Sequence, residues 1–130
     1  MPLYRCAIRE GESTEEQRAQ IAREVVRIHC GVTGAPAAFV HAFFSERTAE
    51  ELPEGQRAFV FGTIRWGRTD EQKARIVSDL TASVADALGF REDEVGVTTV
   101  DIPSKWNMEG GAIMPEPGEE EAWLAKHHHG

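Results

Sequence analysis

The second residue of the chain, Pro2, is the first residue with the potential for acid–base chemistry. If Met1 is removed, as is usual before a small residue, Pro2 presents a free secondary amine where every later residue has an amide. A terminal α-amine titrates at roughly 7.7 to 8.0, and neighbouring cations or a dry pocket lower that pKa. Such an amine can act as a base or as an acid near neutral pH. Retention of Met1 would remove this amine and its chemistry.

Arg65 and Arg68 form a second candidate group, in the segment Ile64-Arg65-Trp66-Gly67-Arg68. The segment lies between an apolar stretch and a helix start, so a turn places the two side chains near one another. Two guanidinium groups at this spacing can converge on one carboxylate, and the helix amino terminus adds positive potential. The alternative is a pair of solvated arginines at a strand end, and residue types alone do not decide between the two interpretations.

Three further polar side chains are weaker candidates. His29 lies near the predicted end of a helix, where the helix dipole favours the protonated form and where a histidine most often serves as a cap. Glu109 stands in a glycine-rich segment and is typical of an exposed loop carboxylate. His41 alternates with Phe39 and Phe43 along a predicted strand, which favours a packed or hydrogen-bonded side chain.

The other histidines and the cysteines predict no metal or redox centre. The terminal run His127–His129 is interpreted as a flexible end or a cloning remnant. Cys6 and Cys30 have neither metal-ligand spacing nor the pattern of a disulfide framework, and we expect both to be small buried thiols. We therefore expect no cofactor and no bound metal.

An internal repeat predicts the elements that position these residues. An offset of 56 residues aligns Ile8 with Ile64 and Gly11 with Gly67. In each half an apolar stretch leads into a glycine turn, a capping box, a helix with an apolar stripe and a second apolar stretch. The boxes are Ser13–Glu16 and Thr69–Gln72; the stripes are Ile21, Val25 and Ile28, then Ile76, Leu80, Val84 and Leu88, closed by Gly89 as a C-cap. The predicted strands are 3–8, 38–44, 58–64 and 95–102.

This plan predicts an α/β fold made of two consecutive βαβ units. The units, about 2–44 and 58–102, are joined by a polar loop over 45–57 and followed by an irregular segment, 103–130, in a single domain over 1–130. Right-handed crossovers place four strands in one mixed sheet with both helices on one face. The other face is left bare, which favours self-association. The acidic residues from Glu119 to Trp123 belong to a tail that wraps a neighbour or closes a site.

Composition limits the classes of partner. The chain has 130 residues, 22 of them acidic and 14 basic, for a formal net charge of −8. This charge disfavours nucleic acid and anionic membranes as partners, and an anionic substrate must be attracted by a local cationic pocket. With no apolar run of spanning length and no targeting pattern, we expect a soluble, cytoplasmic protein.

The combined motifs resemble the tautomerase superfamily, whose 4-oxalocrotonate tautomerase-like members use an amino-terminal proline and are built from βαβ units. The resemblance is to the fused, two-unit branch that includes cis-3-chloroacrylic acid dehalogenase and its hydratase and tautomerase homologues. It covers most of the chain: the Pro2 start, the segment from His29 to Gly34, Arg65-Trp-Gly-Arg68, Met108-Glu109-Gly and the run from Pro115 to Gly118. A homotrimer is implied as well.

The resemblance implies a role for each site residue. Pro2 would transfer a proton on a small carboxylate substrate, and Arg65 and Arg68 would bind the carboxylate. His29 would hold a carboxylate or carbonyl oxygen, and Glu109 would activate water for addition to an unsaturated acid. Cations around an amine lower its pKa and a bound anion raises it again, so one nitrogen can serve as base or acid.

One position departs from the dehalogenase pattern. Eleven residues before Glu109, where the pattern has a tyrosine, the chain has Thr98. A threonine hydroxyl is shorter and far less acidic than a phenol, so we rank enol/keto tautomerisation first and hydration or dehalogenation of short unsaturated acids second, with decarboxylation of a small oxo acid also open. The alternatives from another class are a non-catalytic trimeric scaffold and a module that binds small acids without turnover.

Overall fold

The computed structural model describes residues 2–116 and 118–127, and in this part of the chain the repeat forms two βαβ units. The predicted fold class, a four-stranded mixed sheet with two helices on one face, is confirmed. The first unit consists of β1 (Leu3–Arg9), α1 (Glu15–Thr33) and β2 (His41–Arg47), and the second of β3 (Ala58–Arg65), α2 (Asp70–Leu88) and β4 (Val95–Ile102). The carboxyl-terminal segment adds β5 (Met108–Glu109), β6 (Ala112–Ile113) and a short helix, α3 (Glu120–Lys126).

The sheet order is β2-β1-β3-β4. Each unit pairs its own two strands in parallel, and the units meet where β1 and β3 pair antiparallel. In this register Leu3 lies opposite His41 on one side and opposite Thr63 on the other. The amino end of β1 is therefore enclosed by the start of β2 and the end of β3.

Both helices cover the same face of the sheet. The predicted stripes of α1 and α2 are buried, as are the alternate strand residues that face them. The opposite face carries exposed apolar side chains, including Phe43, 62 % exposed, and Val100, 38 % exposed. This uncovered apolar face is the one that the sequence predicted would need a partner.

Several predicted boundaries were wrong by a few residues. The first helix is capped by Thr14, whose hydroxyl accepts the backbone N–H of Gln17, while Ser13 instead accepts a hydrogen bond from Arg18. The second strand begins at His41 because residues Ala37–Phe39 form a 3-10 turn after a proline.

Contrary to the prediction for both cysteines, only Cys6 is buried; Cys30 is half-buried. None of the helices in the described part of the chain combines the length and apolar character that crossing a membrane requires.

Candidate active site

Pro2 lies at the buried start of β1. Its carbonyl oxygen accepts the backbone N–H of His41 at 3.0 Å, which ties the start of β1 to the start of β2. Since β1 is a central strand, side chains from both neighbouring strands surround this end of the sheet. The position that would carry a terminal amine is thus enclosed by the fold.

Arg65, the last residue of β3, is buried to 1 % exposure. Its Nη1 donates to the backbone carbonyl of Pro115 at 2.9 Å, and its Nη2 donates to Glu120 Oε1 at 2.5 Å. The guanidinium carbon also lies 5.5 Å from the centre of the Phe39 ring. Arg65 is therefore an interior residue bound to the carboxyl-terminal segment, and the alternative of a solvated surface arginine is wrong.

Arg68 reaches the same carboxylate after a turn in which Gly67 adopts a left-handed φ of 110°. Its Nη2 lies 3.4 Å from Glu120 Oε1, and its Nη1 lies 3.4 Å from the carbonyl oxygen of Thr33. Burial, and after it the charge of Arg65, lower the pKa of Arg68 below its usual value. The two arginines thus converge on one carboxylate, as their spacing predicted, and in this chain that carboxylate is Glu120.

Glu120 was not among the residues singled out from the sequence, although it occupies the centre of the cluster. The backbone N–H of Gly118 donates to its Oε2 at 2.7 Å, in addition to the arginine contacts. Burial opposes ionisation, but hydrogen bonds from the backbone and from Arg65 outweigh burial and hold the pKa of Glu120 below its usual range. Glu120 is one of three consecutive glutamates, a pattern typical of a solvated helix start. Nothing in this local sequence indicates that Glu120 binds the two arginines.

Trp123 anchors the helix that carries Glu120. The indole Nε1 donates to the carbonyl oxygen of Ile113 at 2.8 Å, and the ring meets Phe39 edge-on with centroids 5.6 Å apart. His127 stacks on the same indole at 4.4 Å, so the prediction of a flexible end was wrong for this residue. The other members of that run, His128 and His129, lie outside the described residues. The anchored tail closes over Arg65, one of the two possibilities raised for it.

His29 is a buried, neutral residue of α1. Its Nδ1 lies 2.7 Å from the phenol oxygen of Tyr4, and the side chain is 1 % exposed. Burial and the charges of Arg68 and Arg65 lower the pKa of His29 to about 3, while burial raises the pKa of Tyr4. The expectations of a helix cap and of a protonated ring were both wrong, because desolvation and two cations outweigh the helix dipole.

A glycine in β3 makes room for the Tyr4 ring. A Cβ atom built on Gly62 would lie 2.6 Å from Cε1 of Tyr4, closer than van der Waals contact permits. Gly62 and Tyr4 face each other in the antiparallel register of β1 and β3. The absence of a side chain at Gly62 therefore allows the phenol to reach His29.

Glu109 lies on the other face of the sheet, in β5. Its Oε1 lies 2.9 Å from His41 Nε2, and its Oε2 accepts a hydrogen bond from Asn107 Nδ2 at 3.3 Å. Burial opposes ionisation of Glu109, but its hydrogen-bonding partners, His41 among them, hold the pKa of the carboxyl below its usual range. The hydrogen-bonded alternative for His41 is thus the correct one. The three side chains line a cavity of about 370 Å³ together with Leu3, Phe43 and Thr63.

The predicted residues thus divide into two groups around the end of β1. The first group consists of Arg65, Arg68 and His29 together with Glu120. The second group consists of Glu109 and His41, and it lies beside Leu3, the residue that follows Pro2.

Thr98 joins neither group. It is exposed on the edge strand β4, opposite Phe61, and the strand β3 lies between it and β1, the strand that follows Pro2. Within the described residues, no three His, Cys, Asp or Glu side chains are grouped so as to hold a metal ion.

Comparison with known proteins shows the family to which this chain belongs. Residues 1–128 match the family described as "Putative oxalocrotonate tautomerase enzyme". The chain belongs to the tautomerase superfamily. A crystal structure of N1, a member of the cis-3-chloroacrylic acid dehalogenase family, is 34 % identical, covers 95 % of this chain and 91 % of its own, and superimposes with a TM-score of 0.87.

Two further relatives of this tautomerase-superfamily chain match parts of it. "Probable tautomerase bsl7456" of Bradyrhizobium diazoefficiens is 38 % identical over 50 residues, which are 38 % of this chain and 75 % of the relative. The structure of a fused 4-OT, described as a symmetric trimer, is 25 % identical, covers 87 % of this chain and 95 % of its own, and has a TM-score of 0.77.

Proposed function

We propose that this chain is an amino-terminal-proline enzyme that transfers protons on small carboxylate substrates, most directly in enol/keto tautomerisation. The observation that carries the proposal is the pair Arg65 and Arg68, whose buried side chains converge on one carboxylate near the amino end of β1, the strand that Pro2 precedes. Two guanidinium groups that already bind one carboxylate have the chemistry needed to bind that of a substrate. Membership of the tautomerase superfamily supports the same reaction class.

In this mechanism Pro2, freed by removal of Met1, is the proton-transfer group. The nearby arginine charges favour the neutral amine, and an anionic substrate bound to them favours the ammonium form. Ketonisation removes one proton from the enol oxygen and adds one to carbon, and a single amine whose pKa responds to the substrate can accept and then donate it. His29, held neutral, would act as a hydrogen-bonding group for a substrate oxygen.

We also propose that the enzyme is a homotrimer. The uncovered sheet face carries exposed Phe43 and Val100, and the fused 4-OT that resembles this chain is described as a trimer. In such an assembly Thr98, exposed on the edge strand, would be available to a neighbouring subunit's site. A stable monomer in sedimentation velocity at micromolar concentration would contradict the proposed assembly.

The direct test is the ketonisation of phenylenolpyruvate, followed by ultraviolet absorbance, by protein whose mass establishes whether Met1 is absent. Pro2→Ala should lower kcat/KM strongly, and Arg68→Ala should lower it at least about tenfold, since hydrogen bonds to charged groups contribute about 1.5–3 kcal/mol. Pro53→Ala and Arg75→Ala, both at exposed positions, are the matched controls. Equal activity in all five proteins would contradict the proposal and favour a non-catalytic binding role.

Hydration of short unsaturated acids is the second candidate, and the Glu109 site favours it. Glu109 lines a cavity of about 370 Å³ and is ionised near neutral pH, so it can accept a proton from water there, as a weaker base than a glutamate with the usual pKa. Glu109→Gln should therefore abolish hydration of an acetylenic acid and leave most ketonisation in place, with exposed Glu116→Gln as the control. If Glu109→Gln removes ketonisation as fully as Pro2→Ala does, Glu109 handles the substrate proton instead.

A further inference from the structure

The arginine pair carries more positive charge than its internal partner neutralises. Arg65 and Arg68 present two guanidinium groups, and Glu120 is the one carboxylate within ion-pair distance of them among the described residues. His29 and Tyr4, two buried side chains that interact electrostatically with the arginines, are neutral and add no charge to the cluster. One positive charge of this buried cluster is therefore left for an anion from outside the chain.

The hydrogen-bonding groups of the pair are also incompletely used. The Nε–H groups of Arg65 and Arg68 are both buried, and neither has an acceptor among the described residues. Both hydrogen bonds of Arg68 are long, at 3.4 Å, whereas those of Arg65 are 2.9 and 2.5 Å. Buried donors without acceptors are destabilising, so these two groups favour an added acceptor. Arg65 already makes two shorter hydrogen bonds, to Glu120 and Pro115, so Arg68 has the greater remaining capacity to bind an anion.

Glu120 itself is held in place. It accepts from both arginines and from the backbone of Gly118, and its helix is fixed by Trp123 against Phe39. An incoming anion therefore meets a site in which one carboxylate is already bound. It does not meet two free arginines.

We propose that Glu120 determines substrate specificity by leaving the arginine pair with room for a single substrate carboxylate, so that monocarboxylates bind and dicarboxylates are disfavoured. The inference rests on the proposed function of the pair as a carboxylate clamp. A monocarboxylate would neutralise the remaining charge and supply the missing acceptor. The second carboxylate of a small dicarboxylate would find no further arginine free to pair with it and would be repelled by Glu120.

The test is a binding measurement that does not depend on turnover. Crotonate and fumarate have the same trans four-carbon frame and differ by a methyl group in place of a carboxylate. Their dissociation constants are measured by isothermal titration calorimetry for the wild type, Glu120→Gln and Glu121→Gln, the last being an exposed neighbour that serves as the control. The wild type and Glu121→Gln should prefer crotonate at least tenfold, and Glu120→Gln should raise the affinity for fumarate relative to crotonate at least tenfold.

Other results overturn the inference. If the wild type binds fumarate as tightly as crotonate, the inference is contradicted without any variant. The inference therefore stays testable even if Glu120→Gln fails to fold. Glu120→Asp, which keeps the charge, should keep the preference for crotonate. An unchanged ratio in folded Glu120→Gln, or an equal weakening of both ligands, would show that Glu120 only supports the fold.

An Arg68→Ala arm separates this failure from failure of the proposed function. If the wild type binds crotonate and Arg68→Ala loses that binding, the result supports the arginine pair as a carboxylate-binding site, whatever the result for Glu120→Gln. If crotonate does not bind the wild type, or binds Arg68→Ala equally well, the carboxylate clamp and the inference built on it both fall.

Discussion

Replacement of Arg65 by alanine should destabilise the protein far more than replacement of Arg68. Arg65→Ala leaves the Glu120 carboxylate, 12 % exposed, without its 2.5 Å partner, and it also removes the hydrogen bond to the carbonyl of Pro115. Removing one partner of a buried ion pair costs about 3–5 kcal/mol. Arg68→Ala removes only contacts of 3.4 Å and leaves Glu120 paired with Arg65, so we expect a loss of about 1 kcal/mol or less.

The measurement is urea denaturation near neutral pH at one fixed protein concentration, because an oligomer's stability depends on concentration. With a denaturant slope of about 2 kcal/mol/M, a loss of about 4 kcal/mol lowers the urea midpoint by about 2 M. The double variant Arg65→Ala, Glu120→Ala should lose less stability than the sum of the two single variants, because either single change already removes the 2.5 Å contact between these side chains.

Two results would refute this reasoning. If Arg65→Ala loses less than about 1 kcal/mol, then the buried pair contributes no more than an exposed one. If the double variant is as unstable as the sum of the two single variants, the two side chains are not energetically coupled and the 2.5 Å contact has no thermodynamic consequence.

Two further predictions concern the buried, hydrogen-bonded pair His29 and Tyr4. Because the pKa of His29 falls from 6.5 to about 3 on folding, the unfolded chain binds a proton in that range that the folded chain excludes. The free energy of unfolding should therefore fall as the pH is lowered from 6.5 towards about 3. In urea denaturation, His29→Gln should lose less of this free energy than the wild type between about pH 7 and about pH 5. Equal losses in the two proteins would contradict the lowered pKa of His29. Gly62→Ala, whose Cβ would lie 2.6 Å from the Tyr4 ring, should cost about 1–3 kcal/mol in thermal denaturation. Gly31→Ala, in open space on α1, is the matched control and should gain about 0.5–1 kcal/mol; an equal effect of the two changes would refute the steric argument.

The sequence by itself determined the repeated βαβ plan and the face that each helix buries. Capping boxes, the Gly89 C-cap and stripes such as Ile76, Leu80 and Val84 are short-range patterns, and the same residues that carry them make the contacts observed. The convergence of Arg65 and Arg68 was one of two interpretations of the sequence, because a three-residue spacing across a glycine turn allows the two side chains to meet but does not require it. Boundaries shifted where two adjacent residues could both cap, as Ser13 and Thr14 can.

Only the tertiary structure decided which carboxylate the arginines bind and how the histidine ionises. Glu120 lies 55 residues after Arg65, and nothing in its local context distinguishes it from the glutamates on either side. Sequence context placed His29 at a helix end that favours a charged ring, whereas packing against Tyr4 and the two arginines keeps it neutral. Local patterns specify backbone conformation over a few residues, but desolvation and charge pairing depend on groups that only the folded chain brings together.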